Sequence, residues 1–309
     1  MTGSRLRAPL LLVALLLAGC GVPDAQPPGA PTTSSPATAA APTCPAPWTC
    51  EQQAHFRAVD DLVAHVPGAQ GHLAVVVTDR DSGATWTAGD ADRPGWTAST
   101  IKLAIAADLL ARARSGSITL TSADHHDIAT MLNFSDEAAS DRLWRAYGGD
   151  EMLDRFRTDY GMHTLSFVPG FTRATYWGFL KTSTADLATL ARHVLDGSYP
   201  GADPRDRAQL VAAMRGVAAN QRWGVWSAGA DQRPGVKDGW SFESDSYGKH
   251  WVTDTVGFAG PAERWVVAVG YQVDPAGSLA DGVHTVSDAV ALLFGRPVPA
   301  PVVVPEPDG

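Results

Sequence analysis

The chain is 309 residues long, with 24 Lys or Arg against 33 Asp or Glu, a formal net charge of −9. That acidic balance, without a basic cluster anywhere along the chain, speaks against a nucleic-acid partner. No self-similarity appears at the periods that mark solenoids or propellers, so a globular domain is expected.

The N-terminus reads as a targeting segment. Arg5 and Arg7 precede an apolar run from Ala8 to Gly19. A membrane-spanning helix needs about 20 apolar residues, so the shorter run is a signal segment, residues 1–19. It ends in "LAGC", which resembles a bacterial lipobox and implies a lipid on Cys20. Ordinary secretory cleavage nearby is the alternative. The expected place is the outer face of the cell membrane, held by the lipid alone. Residues 20–50 then form an anchor, a Pro/Ala/Thr-rich tether and a small cysteine loop. With Cys20 lipidated, Cys44 and Cys50 remain as a pair, and export favours their oxidation to a disulfide. Two thiolates without a third nearby ligand make a poor metal site.

Residues 51–295 carry the globular pattern. "QQAHFRAVDDLVAHVPG" has helical apolar spacing and ends at Pro-Gly. "HLAVVVTDRDSGATWTAGD" is two β-rich runs about an Asp-Ser-Gly turn, a hairpin. A mostly helical block follows, including "STIKLAIAADLLARARSG", "HDIATMLNFSDEAASDRLWRAYGG", "DEMLDRFRTDYG" and "TSTADLATLARHVLDG", several ending at a capping glycine. Strand character returns in "PGVKDGW", "HWVTDTVGFAG" and "ERWVVAVGYQV", and "VHTVSDAVALLFG" closes with a helix. The expected fold is α+β, an α/β/α sandwich. Its antiparallel sheet is assembled from about residues 51–98 and 222–295, with a helical lobe over 99–221 inserted between them. The proline-rich tail, 296–309, is expected outside the core. A site belongs in the cleft between lobe and sheet, where Ser99 falls.

Three stretches carry chemistry. In "TASTIKLAIAADLL", Lys102 opens an apolar helix, where the helix dipole disfavours positive charge. A lysine there either snorkels to solvent or serves Ser99, one turn earlier. "NFSDEAAS" sets Ser135 and Asp136 at a turn before a helix. "VKDGW" sets Lys237 and Gly239 on a late strand. This order of motifs resembles the class A β-lactamases and penicillin-binding peptidases, over nearly all of residues 51–294. "QRWGVWSAGADQRPGVKDGW" is similar to actinobacterial lipoproteins of that serine hydrolase superfamily.

The resemblance implies a Ser99 acyl-enzyme. Lys102 would take the serine's proton, which requires a neutral amine. At an ordinary pKa of about 10.4, well under one lysine in a thousand is neutral at pH 7. Burial and a facing Lys237 would lower that pKa. Ser135 would pass the proton toward the leaving group, Asp136 would hold the turn, and the N–H groups of Ser99 and Trp240 would form an oxyanion hole. Lys237, Asp238, Gly239 and Trp240 would meet a small β-lactam or peptidoglycan-related substrate. No cofactor, no metal and a monomer are expected. Other readings stay open: a D-Ala-D-Ala-type peptidase, a neutral-substrate esterase, or a non-hydrolytic cell-wall or ligand-binding lipoprotein.

Three departures from the family pattern bear on function. The family activates its deacylating water with a glutamate on a loop after the lobe, yet no carboxylate occurs here between Asp159 and Asp186. His163 in that stretch reads as a surface or packing residue, and deacylation is expected to be slow. Glu137 stands where the family has asparagine, as a modulator of Lys102 or as a replacement base. Asp238 replaces a hydroxyl that receives the substrate carboxylate, and in the cleft it would repel it. His125, His126 and Asp127 are adjacent in sequence and do not converge as metal ligands do. Trp223, Trp226, Trp240, Trp251 and Trp265 read as core and cleft wall rather than as a carbohydrate platform.

Overall fold

The computed structural model describes residues 44–66, 68, 70–171 and 176–307. The signal segment, Cys20 and the tether lie outside them. Among the described residues, no helix is long and apolar enough to cross a membrane.

Cys44 and Cys50 are joined as a disulfide. Helix α1 (Cys50–Ala64) starts there, with Thr49 and Gln52 forming a reciprocal capping box. Then come β1 (His72–Asp79), β2 (Thr85–Ala88) and β3 (Pro94–Trp96). The lobe holds α2 (Lys102–Arg114), α3 (Ser122–Asn133), α4 (Glu137–Ala146) and α5 (Gly149–Thr158). Two short strands follow, β4 (Ser166–Phe167) and β5 (Leu180–Ser183), and then α6 (Thr184–Asp196) and α7 (Pro204–Arg215). The chain ends with β6 (Gly235–Asp245), β7 (Gly248–Ala259), β8 (Trp265–Gln272) and α8 (Leu279–Leu293).

The main sheet runs β2-β1-β8-β7-β6 and is antiparallel throughout. It has helices on both faces. The period of two in a strand sends Ala74 and Val76 of β1 into the core that includes α2, and Val75 and Val77 into the core beneath α8. With both faces covered, β1 reads as an unbroken apolar run. Helix α2 is buried from Lys102 to Ala111, because its alanines let neighbours approach on every side. A second sheet, β3-β5-β4, lies partly within the stretch expected to be helical.

The tail departs from expectation. Ala300 is buried and its amide donates to Asp288 Oδ1 of α8 at 2.6 Å, while Val302 and Val304 pack on the core under α8. Prolines remove donors and stop helices, but an extended segment still turns alternate side chains to one face.

Candidate active site

Three backbone segments converge on Ser99. The first is its own turn, a single 3-10 turn over Ala98–Ile101 that runs into α2. Ala98 takes φ +40°, a left-handed conformation unusual for alanine. Thr100 Oγ1 ties the turn to the carbonyl of Thr97. The second is the Phe134–Asp136 corner between α3 and α4. Ser135 has φ +59°, and Asp136 caps α4 by accepting from the Ala139 amide at 2.6 Å. The third is β6, the edge strand of the main sheet.

The two lysines meet on Ser135. Lys102 Nζ donates to the Ser135 carbonyl at 2.6 Å and lies 3.3 Å from Ser135 Oγ. Lys237 Nζ donates to the same Oγ at 3.0 Å and to the carbonyl of Asp238 at 2.6 Å. Lys102 is 0% exposed and Lys237 1%. Burial first, and the neighbouring Lys237 ammonium second, hold Lys102 well below a lysine's ordinary value, against the pull of Glu137, Asp136 and Asp141. Burial lowers Lys237 to about 8, with Asp238 pulling the other way. Both lysines are bonded to Ser135; neither donates to Ser99.

Gly239 explains how close β6 comes. A Cβ there would sit 2.7 Å from the Ser99 amide nitrogen and 2.8 Å from that of Thr100. The space glycine leaves is filled by the backbone of Ser99 and Thr100.

The substrate contact expected of Asp238 is absent. Lys237 and Gly239, two apart on β6, face Ser135 and Ser99, so Asp238 points to the other face of the strand. It is buried there, with Thr255 Oγ1 donating to its Oδ1 at 2.5 Å, and burial pushes its carboxyl well above the ordinary range. An acid turned to the core neither repels nor receives a ligand in the cleft.

The cleft itself, about 460 Å³, is lined by Ser99, Ser135, Glu137, Trp240, Ser241, Phe242, Trp251 and Pro307. Two of the late tryptophans are thus cleft wall. Trp223 is fully buried, and Trp226, Trp265 and the two cleft-lining tryptophans all pack against the core beneath α8. Glu137 is exposed at the first position of α4.

Two residues of the loop before β5 were not anticipated. The Trp177 ring lies 4.4 Å from Lys102 Nζ, and its indole N–H donates to Asp141 at 3.0 Å. Burial first, and the nearby Glu137 and Asp141 carboxylates after it, raise the phenol of Tyr176. This loop offers Lys102 an aromatic face. Their adjacency in "TYWGF" was the only signal, and composition does not say which way an aromatic ring turns. His163 is exposed. His125 and His126 are exposed on α3, and Asp127 beside them pairs with Arg142 at 2.6 Å.

No family model matches the chain. The protein described as "Putative lipoprotein LppW" in Mycobacterium tuberculosis (strain ATCC 25618 / H37Rv) is 31% identical over 229 residues, 72% of this chain and 69% of its own. Its counterpart in Mycobacterium bovis aligns equally. Among solved structures, an ancestral class A beta-lactamase (GNCA) superposes with a TM-score of 0.60 at 21% identity, covering 79% of this chain and 99% of its own. A beta-lactamase from Chitinophaga pinensis gives a TM-score of 0.61 at 15% identity, covering 78% and 98%.

Proposed function

The chain belongs to the family of the mycobacterial lipoprotein LppW and is built on the class A β-lactamase fold, and from that premise we propose that it is a serine hydrolase working through a Ser99 acyl-enzyme. The observation that carries the reading is the convergence of two buried lysines on one hydroxyl, Ser135 Oγ, beside the nucleophile's turn. Buried, close and of like charge, they favour a neutral amine at Lys102, and a neutral amine can accept a proton.

In the proposed acylation the Ser99 hydroxyl attacks a carbonyl carbon as its proton passes to Lys102. The oxyanion is held by the Ser99 N–H and by that of Trp240 on the edge strand, each worth about 2.7 to 4 kcal/mol in such sites. The leaving nitrogen or oxygen takes a proton from Ser135, which Lys237 or protonated Lys102 restores. A β-lactam or a related amide or ester supplies that carbonyl. Trp240, Phe242, Trp251 and Pro307 favour an apolar acyl group, and Glu137 disfavours an anionic one. Neutral esters and amides should therefore acylate faster than substrates bearing a carboxylate. With lipidation at Cys20, the reaction would take place at the outer face of the cell membrane.

Release of the acyl group needs an activated water. The Trp177 ring over Lys102 can act as no base, so deacylation is slow. Losing a general base costs about 10² to 10⁴ in rate. Taken to its limit, the same observation favours a second reading, a ligand-binding lipoprotein without turnover.

A fluorescent penicillin and a fluorophosphonate test the proposal. Label on Ser99, absent in Ser99→Ala, with an adduct that persists by intact mass, supports it. If Glu137 activates the residual water, Glu137→Gln lengthens the adduct's life and leaves its formation nearly unchanged. No label from either probe between pH 6 and 9 leaves the binding-protein reading standing.

A further inference from the structure

Beyond α8 the chain turns back toward the cleft and is pinned at successive points. Arg296 pairs with Asp231 and donates to the Ala228 carbonyl at 3.0 Å. The Ala300 amide is bonded to Asp288. Val302 and Val304 face the core, while Val303 between them is 64% exposed, the alternation of an extended segment. Trp240 Nε1 then donates to the carbonyl of Glu306 at 3.1 Å, and Pro307 lines the cleft that holds Ser99 and Ser135.

These contacts join into one device. The indole held by Glu306 belongs to the residue whose backbone N–H would be the second oxyanion donor, so the tail fixes Trp240 in place. Pro307 has no N–H and a locked φ, and it adds a rigid wall that can neither pair with edge strand β6 nor donate to a ligand. Glu137 is the one titratable side chain among those lining the cleft. Resting on the acyl-enzyme reading, we propose that Glu306 and Pro307 are specificity-determining residues. They close the Trp240 side of the cleft and select compact acyl groups for attack by Ser99.

Access to position 99 tests this without requiring catalysis. In the full-length chain carrying Cys20→Ser and Ser99→Cys, the new thiol would be alkylated by iodoacetamide and by a bulky pyrene maleimide, with attachment located by mass spectrometry. Ending the chain at Pro305 removes the wall and keeps the inner pins. The ratio of bulky to small labelling rates should rise about tenfold, the scale of discrimination a pocket wall gives. Pro307→Gly, which leaves the rest of the tail in place, should raise it less and in the same direction, and it decides the matter if the shortened chain melts early. A ratio within about twofold of the full-length value in both variants overturns the proposal. Failure of the acyl-enzyme reading would show separately, as absence of fluorophosphonate label on Ser99 in the full-length and shortened chains alike.

Discussion

Lys102 has no contact with solvent, and its nearest neighbours are a serine and an indole ring. Burying an amine costs desolvation that an apolar side chain of similar volume escapes, against the loss of one donor to the Ser135 carbonyl. Lys102→Met should therefore abolish labelling of Ser99, a loss of about 10² to 10⁴, while the melting temperature holds or rises. A residue kept only for packing would show the reverse. Because the neutral amine is the acceptor, acylation in the native protein should quicken as pH rises through the depressed pKa of Lys102. Lys237 makes a separate prediction through linkage. Its folded value of about 8 lies below its ordinary 10.5. Between those values the unfolded chain holds the proton and the folded one does not, so stability climbs with pH across that window. Denaturant titrations at pH 7.5, 9 and 10 should show the climb, and Lys237→Met should make it shallower, leaving the share due to Lys102.

Local structure decides how those side chains are presented. Gly239→Ala would drive a Cβ to 2.7 Å from the Ser99 amide, and backbone cannot yield as a side-chain tip can. The variant should fold, with the far side of the sheet untouched, and label Ser99 at least tenfold more slowly, as measured by quenched-flow or gel densitometry. Asp136→Ala removes the cap of α4 and should cost about 1 kcal/mol in chemical denaturation. Ser99, Lys102, Ser135 and Lys237 were legible in the sequence through the resemblance of their motif order to a known family. Asp238 was misread because a three-residue motif hides the alternation of its strand: its neighbours face the cleft, so it cannot. Trp177 and Pro307 could not be read at all. Trp177 reaches Lys102 from a loop and Pro307 reaches the cleft from the tail, where no periodicity says which way a side chain points.

On the scale of the whole molecule, the runs of β-rich residues at both ends announced a sheet closed from distant parts of the chain. The order β2-β1-β8-β7-β6 realises that. The small sheet β3-β5-β4 escaped notice because strands of two to four residues carry too few alternations to register. The main sheet's order has a consequence in time. β1 ends at Asp79, but the strand that must lie beside it, β8, starts only at Trp265, its register partner. A chain emerging from the ribosome therefore holds its most apolar strand with one edge unpaired until nearly all the rest has been made. Contacts so far apart in sequence form late and slowly. Fragments ending before β8, for instance at Glu263, should show no cooperative melt and rapid proteolysis, whereas the chain ending at Pro305 should melt as one unit. Such lateness keeps the polypeptide loose while it is being made, and the fold sets only once its final strands have arrived.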